Sequence, residues 1–298
     1  MTAGKVIVRA AGDRQLEALA SGPTGGLTLV LHNGTPAGLM AAPAIAAAAA
    51  ERGLRLVLYA RPGYGSSTPV PGRRVAAAAA DLAAVLDALG TGEFVTDGWS
   101  GGGPHALACA ALLPGRCVAA ATMAGPAPHQ AEGLDWSQGM SSENLAEFRA
   151  ALAGPEELTR FLEPAAREMA TLTGADVVAG LGDLASAADK AALTGEFADY
   201  QAASFRPAVA GGVAGCRDED LAFVTDWGFT MADVGAGAPV AVWQGDQDMM
   251  VPWSHGHWLA THIPGARAHL LPGEGHLTLV HSFGAILDDL LDLAGHQG

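Results

Sequence analysis

A serine becomes a strong nucleophile at neutral pH only when an imidazole takes its proton and a carboxylate holds that imidazole in one tautomer. The chain offers the serine in Gly98-Trp99-Ser100-Gly101-Gly102. This turn directly follows the strand-like run 93–97 and directly precedes a small-residue helical pattern that starts near Pro104. Strand, sharp turn and helix together lift the Ser100 Oγ out of the chain. Gly98 and Gly102 relieve crowding where strand and helix meet, and the Gly101 N–H is left free to bind a developing oxyanion. The acid and the base follow downstream. Residues 238–244 read as a buried strand that ends in the acidic loop Gly245-Asp246-Gln247-Asp248-Met249-Met250-Val251-Pro252. After a helical pattern near 255–262 and a strand at 266–271 comes Pro272-Gly273-Glu274-Gly275-His276. The chain order is therefore Ser, Asp, His, with acid and base each on a loop leaving a strand end, and it differs from the two protease orders for the same geometry.

The elements that must position these groups can be read from periodicity. An opening hairpin is expected at 5–9 and 15–18, and strands at 27–32, 54–59, 94–99 and 118–123. Helical patterns lie between them at 40–52, 75–89 and 105–113, and this alternation predicts a parallel sheet with helices on both faces. From 126 to 232 the rhythm breaks. No convincing buried strand occurs there, but Ser141-Ser142-Glu143 and Pro155-Glu156-Glu157 are helix starts with acids in the first turn. The chain thus divides into 1–126 and 233–298, two parts of one α/β core, and an all-helical insertion at 127–232. A chain of 298 residues, half of them apolar, suits one such domain with one insertion.

With these motifs the chain resembles the α/β-hydrolase superfamily over nearly its whole length. Leu27-Thr28-Leu29-Val30-Leu31-His32-Asn33-Gly34-Thr35-Pro36 looks like that family's strand and H-G-x-P oxyanion loop, with Asn33 where the histidine usually stands unless His32 takes its place. Aligned on Gly34 and Pro36, the second oxyanion amide falls on Thr35. Tyr59-Ala60-Arg61-Pro62-Gly63-Tyr64-Gly65-Ser66-Ser67 is similar to the D-x-x-G-x-G-x-S loop, with Ala60 replacing the acid. Gly245, Asp248 and Pro252 keep the family's acid spacing, so Asp248 is the expected partner of His276, and Asp246 caps its own turn.

The resemblance implies the α/β-hydrolase fold, a mostly parallel sheet flanked by helices, with the all-helical insertion as a lid over Ser100. It implies a serine hydrolase cleaving small or medium carboxylic esters or lactones through an acyl-enzyme, with Gly101 and Thr35 as oxyanion donors and no cofactor. Trp136, Met140 and Phe148 are candidate pocket residues. The triad and the oxyanion donors all lie outside the lid, so replacing residues 128–230 with a short linker, provided the core survives the exposed apolar surface, is expected to broaden or abolish substrate selection while leaving some activity on small activated esters. An aminopeptidase or amidase of proline-iminopeptidase type is the nearest alternative, suggested by Arg61-Pro62-Gly63-Tyr64-Gly65 and Thr35-Pro36; against it, the oxyanion loop lacks that family's extra glycines. A cofactor-free haloperoxidase or lyase, or a ligand receptor on the same scaffold, also stays open. Haloalkane dehalogenases and epoxide hydrolases carry Asp where this chain has Ser100.

Composition narrows the partners to a small-molecule substrate. A net charge of −15 argues against nucleic acid and against polyanionic substrates. Residues 1–10 contain no apolar leader, and the longest apolar stretch, 39–50, contains Pro43 and is too short to span a bilayer, so a cytoplasmic protein without membrane contact is the expectation. Cys109, Cys117 and Cys216 form no disulfide framework. The ten histidines show no metal-binding spacing, and His255 and His257 are expected at the surface. His105, five residues after Ser100, is expected to point away from it in a structural role. His281 is expected on a different helix face from His276. Asp97 in a buried strand is expected to make a local hydrogen bond, because a carboxyl there is otherwise costly. Oligomeric state is not legible.

Overall fold

A strand buried on both faces reads as a continuous apolar run rather than an alternation. β3 (Thr28–His32), with the sequence Thr-Leu-Val-Leu-His, is such a run and is buried throughout. In a computed structural model, which describes residues 4–296, it lies at the centre of an eight-stranded sheet. Residues 1–3 of the N-terminal stretch read above lie outside the described residues. β4 (Arg55–Tyr59), β5 (Phe94–Trp99), β6 (Cys117–Met123), β7 (Val240–Gly245) and β8 (Arg267–Leu271) continue the parallel set, and the hairpin of β1 (Gly4–Ala10) and β2 (Arg14–Ser21) adds antiparallel to β4. The spatial order is β1-β2-β4-β3-β5-β6-β7-β8.

That order places the site. β4 pairs with one side of β3 and β5 with the other, so the chain leaves the carboxyl ends of β3 and β5 in opposite directions and a crevice opens between them. The segment after β3 and the turn after β5 face each other across it, close enough that a Cβ on Gly34 would lie 3.4 Å from Ser100 Cβ.

Helices cover both faces. α1 (Pro43–Glu51) and α12 (Phe283–Leu293) pack on one; α2 (Ala77–Ala88), α3 (Gly103–Leu112), α10 (Met231–Gly237) and α11 (Trp253–His262) pack on the other. The alanine runs of α1 and α2 let these helices approach the sheet closely.

Between β6 and α10 the chain forms α4 (Ser142–Ala153), α5 (Pro155–Met169), α6 (Gly174–Gly180), α7 (Ala187–Ala192), α8 (Gly195–Val209) and α9 (Ala214–Phe223), with no strand among the described residues. Their starts follow local chemistry: Ser141 Oγ accepts the Asn144 N–H, and Thr173/Asp176 and Ser186/Asp189 form capping boxes. α10 runs across position 232 and packs on α3, where a Cβ on Gly237 would collide with the Ala110 carbonyl. Among the described residues, no helix is long and apolar enough to cross a membrane.

The insertion shares the core of the sheet as well as holding a cluster in which Ala150, Leu158, Leu162, Ala208 and Cys216 pack with Ala60 and Tyr64. Val177, Leu181, Leu193 and Tyr200 belong to the same buried cluster as Leu31, Trp99 and Met123 of the sheet. Excision of the insertion would therefore expose one wall of the sheet's own core. A chain with residues 128–230 replaced by a short linker is expected to lose its cooperative thermal transition and to bind a hydrophobic dye. A soluble product with a sharp melt by near-ultraviolet circular dichroism would show that the core stands alone.

Candidate active site

Ser100 has φ = 56°, one of three non-glycine residues with positive φ among those described. The left-handed conformation costs an L-residue roughly 1–2 kcal/mol and persists only where the surroundings dictate it. Here β5 is fully buried up to Trp99, and α3 begins only three residues after Ser100. The intervening turn has no room for side chains: a Cβ on Gly98 would meet the Gly102 carbonyl and lie 2.7 Å from Gly103 Cα, and a Cβ on Gly102 would collide with the His32 carbonyl.

His276 is held from several sides. His276 Nδ1 lies 2.8 Å from Asp248 Oδ2 and must donate to it, which leaves Nε2 free to accept a proton. Trp99 donates its indole N–H to the His276 carbonyl at 3.3 Å and stacks on the imidazole at 6.3 Å between ring centres. Asp248 is buried, with Oδ1 accepting the Met250 and Val251 N–H groups at 2.9 and 2.8 Å and Oδ2 accepting Gln244 Nε2 at 3.0 Å. Asp246 is exposed and accepts the Gly273 N–H at 2.8 Å. Burial works against a charged His276, but the charge and hydrogen bond of Asp248, with the charge of Asp189, outweigh it and raise the imidazole above its ordinary value. Ser100 and His276 line one cavity. No hydrogen bond joins the Ser100 Oγ to the imidazole, a separation common in unliganded sites.

The loop after β3 rests on a buried ion cluster that the sequence did not reveal. Glu219, on α9, accepts Arg61 Nε at 2.5 Å and His105 Nε2 at 2.9 Å on Oε1, with Arg73 at 3.3 Å. Its Oε2 accepts the Thr35 hydroxyl at 2.6 Å, Arg61 at 2.8 Å and Tyr64 at 3.2 Å. Burial alone would raise the Glu219 pKa, but the Arg61 charge, the His105 hydrogen bond and the Arg73 charge hold it well below the ordinary carboxyl value. Burial holds His105 down to about 4, so its ring is neutral and Nε2 carries the proton. Arg61 also donates to the Asn33 and Gly34 carbonyls at 2.7 and 2.9 Å. With Thr35 tied by its hydroxyl and its two preceding carbonyls held, no acceptor for the Thr35 N–H occurs among the described residues. Gly101 lies directly against it, since a Cβ there would be 2.9 Å from Thr35 Cβ. Asn33, not His32, faces the cavity; its amide donates to the Gly38 and Met40 carbonyls, whereas His32 is buried against Tyr59.

The cavity measures about 290 Å³. Met169, Leu172, Val177, Leu181, Tyr200 and Phe205 of the insertion form its apolar wall, and Glu143, Glu168 and Asp176 stand at its exposed rim. Trp136, Met140 and Phe148 do not line it, which corrects that expectation. The Trp136 indole N–H is committed to the Ala127 carbonyl at 2.7 Å, and its ring packs edge-on against Phe148 and His255. His255 is likewise not a surface residue: it is buried, accepts the Ala127 N–H and bonds the Trp136 carbonyl, and burial holds it down to about 4. Asp97 has no hydrogen-bond partner on either oxygen, contrary to expectation, and burial pushes it up to about 8. Glu147, Cys216 and Asp220 bring ligand atoms within 4.8 Å of one another, the metal-like grouping found among the described residues. Burial raises both carboxyls, and the charge of Glu147 raises Asp220 further.

A sequence model of the alpha/beta hydrolase fold family matches residues 28–282. No curated protein sequence matches the chain. Among solved structures the chain is similar to a bromoperoxidase from Bacillus anthracis, at 20% identity and TM-score 0.67 over 97% of this chain and 100% of that one. It is similar to a hydrolase from Pseudomonas aeruginosa at 19% and 0.69, over 97% and 98% of the two chains. It is also similar to a malate-bound thermophilic esterase from Thermogutta terrifontis at 20% and 0.68, over 98% and 99%. Identities at this level bear on the fold alone.

Glu219 generates a stability prediction. Its folded pKa lies below the ordinary value of 4.5, so its contribution is present above about pH 4.5 and is lost as pH falls toward the folded value, where the unfolded chain binds the extra proton. Glu219→Gln leaves Arg61 and Arg73 buried without their carboxylate, and a loss of about 3–5 kcal/mol at neutral pH is expected. Urea unfolding from pH 7 down to 3.5 should show the gap between wild type and variant closing in the acid range; a constant gap would mean that the carboxylate charge is not the source.

Proposed function

This chain belongs to the alpha/beta hydrolase fold family, and on that premise we propose that it is a serine hydrolase cleaving small or medium, uncharged carboxylic esters or lactones. One observation carries the reading: a serine in strained left-handed backbone shares a cavity with a buried imidazole whose far nitrogen is bound to a buried carboxylate. In this mechanism the Ser100 Oγ attacks the acyl carbon while His276 Nε2 takes its proton. Asp248 supports the imidazolium that forms, and the Thr35 and Gly101 N–H groups hold the oxyanion. Collapse of the tetrahedral intermediate expels the alcohol oxygen, which takes the proton back from His276, and water activated by the same imidazole then releases the acid. No cofactor enters these steps.

The cavity supports the substrate class. At about 290 Å³ it lies at the small end for ligand sites, and its apolar wall suits an alkyl or aryl acyl group. The carboxylates at the rim disfavour entry of anionic substrates. Two buried arginines against the single carboxylate of Glu219 leave one formal positive charge behind the oxyanion loop, where negative charge develops. The insertion, in this reading, acts as a lid that selects the acyl group through α5, α6 and α8.

A fluorophosphonate probe should label Ser100 and no other serine, because only an activated hydroxyl attacks phosphorus quickly. Ser100→Ala should lose on the order of 10⁵ to 10⁶ in kcat while remaining folded. A panel of p-nitrophenyl esters, lactones and amino-acyl amides should give turnover on the first two; tight binding with negligible turnover throughout would instead mark a receptor. Asp248→Asn should approach the loss of about 10⁴ in kcat seen when a triad carboxylate is neutralised. Asp246→Asn, which loses only a turn hydrogen bond, should stay within roughly tenfold. The reverse ranking in folded variants would move the orienting acid to Asp246.

A further inference from the structure

Three consecutive backbone amides around the proposed base point at a carboxylate that belongs to the insertion. Asp189 Oδ2 accepts the His276 N–H at 3.1 Å, and its Oδ1 accepts the Leu277 and Thr278 N–H groups at 2.6 and 3.2 Å. The same residue closes the capping box of α7, taking the Ser186 hydroxyl at 2.9 Å and the Ser186 N–H at 3.4 Å on Oδ2. Its side chain is wholly buried. The fit leaves no slack: a Cβ on Gly275 would run into the Asp189 carboxylate.

We propose that Asp189 is a positioning residue for His276, so that the insertion sets the placement of the base as well as covering it. This rests on the reading of His276 as the general base. Asp248 fixes the ring through Nδ1 and Trp99 fixes the carbonyl; the backbone N–H, the third hold on the residue, belongs to Asp189. A nest of successive amides receives a carboxylate well because each N–H supplies partial positive charge. Any displacement of α7 therefore carries the 276–278 backbone with it or breaks three charge-assisted hydrogen bonds at once. A shift of the order of 1 Å in a positioned group costs roughly 10²-fold in rate.

The charged groups facing the imidazole are Asp248, from the loop after β7, and Asp189, from α7. The first readout uses no substrate: the imidazole of His276 is titrated by NMR in wild type and in Asp189→Asn, with His276→Ala assigning the signal. Asp189→Asn is nearly isosteric but turns at least one N–H···O contact into a clash of donors, and it should shift the His276 titration toward lower pH. It should also lower kcat on an activated p-nitrophenyl ester by roughly 10- to 100-fold with KM within threefold. Asp233→Asn removes the matching acid from the α10 capping box, which is exposed and far from the cavity. That variant should leave the His276 titration in place, separating positioning from loss of a helix cap. A folded Asp189→Asn protein whose His276 titration and kcat match wild type within twofold would overturn the proposal. If the wild type hydrolyses none of the panel, the hydrolase reading fails and the NMR titration still decides on Asp189. If the variant does not fold, hydrogen exchange of the wild type decides: the 276–278 amides should open together with α7, and free exchange at 276–278 under a protected α7 would overturn it.

Discussion

A single buried carboxylate, Glu219, determines where much of this molecule stands. An isolated carboxylate without water is so costly that it survives only when ringed by cations and donors, and the ring here is drawn from four segments of the chain. The loop after β3 supplies Thr35, the loop after β4 supplies Arg61 and Tyr64, the segment leading to α2 supplies Arg73, and α3 supplies His105. None of these can move without leaving a charge or a donor unpaired. Arg61 passes the constraint on, since its remaining N–H groups hold the carbonyls of Asn33 and Gly34. The direction of the Thr35 N–H is therefore a consequence of a salt bridge on its far side.

Much of the sheet was legible because its signal is local. The apolar run of β3, the glycines at 98, 101 and 102 and the alternation of strand and helix patterns are each dictated by neighbours in sequence, and the observed strands fall within two residues of the expected starts. The pairing of His276 with Asp248 follows the spacing of Gly245, Asp248 and Pro252. Glu219 was not legible. In Arg217-Asp218-Glu219-Asp220 it looks like one acid on the polar face of an ordinary helix, and only the fold reveals that the face is turned inward. Asp189 carried half a signal, for Ser186-Ala187-Ala188-Asp189 reads as a capping box, but its second use requires knowing which loop lies opposite. Trp136 and Met140 read as pocket residues because large apolar side chains in an insertion suit a binding wall; the need of the indole N–H for a partner takes Trp136 to Ala127 instead.

The electrostatics of the site run against those of the molecule. The chain carries a net charge of −15, yet the ground behind the loop that follows β3 is formally positive through Arg61 and Arg73. Asp97, three residues before Ser100, is the acid placed to spoil this. Burial without a partner pushes its pKa to about 8, so at pH 7 it is mostly neutral and adds little negative charge beneath the elbow.

The turn at Ser100 also bears on the order in which the protein is made. Its strand and helix are complete by residue 112, but the contacts that finish the site span 184 residues from Thr35 to Glu219, 177 from Trp99 to His276 and 87 from Asp189 to His276. Contacts of such long range close last, because the chain between them must be ordered first. A chain emerging from its N-terminus displays Ser100 while Asp248 and His276 are still unsynthesised. Its hydroxyl is then no more reactive than that of any other serine, and the nucleophile proposed above is assembled only when synthesis is nearly complete.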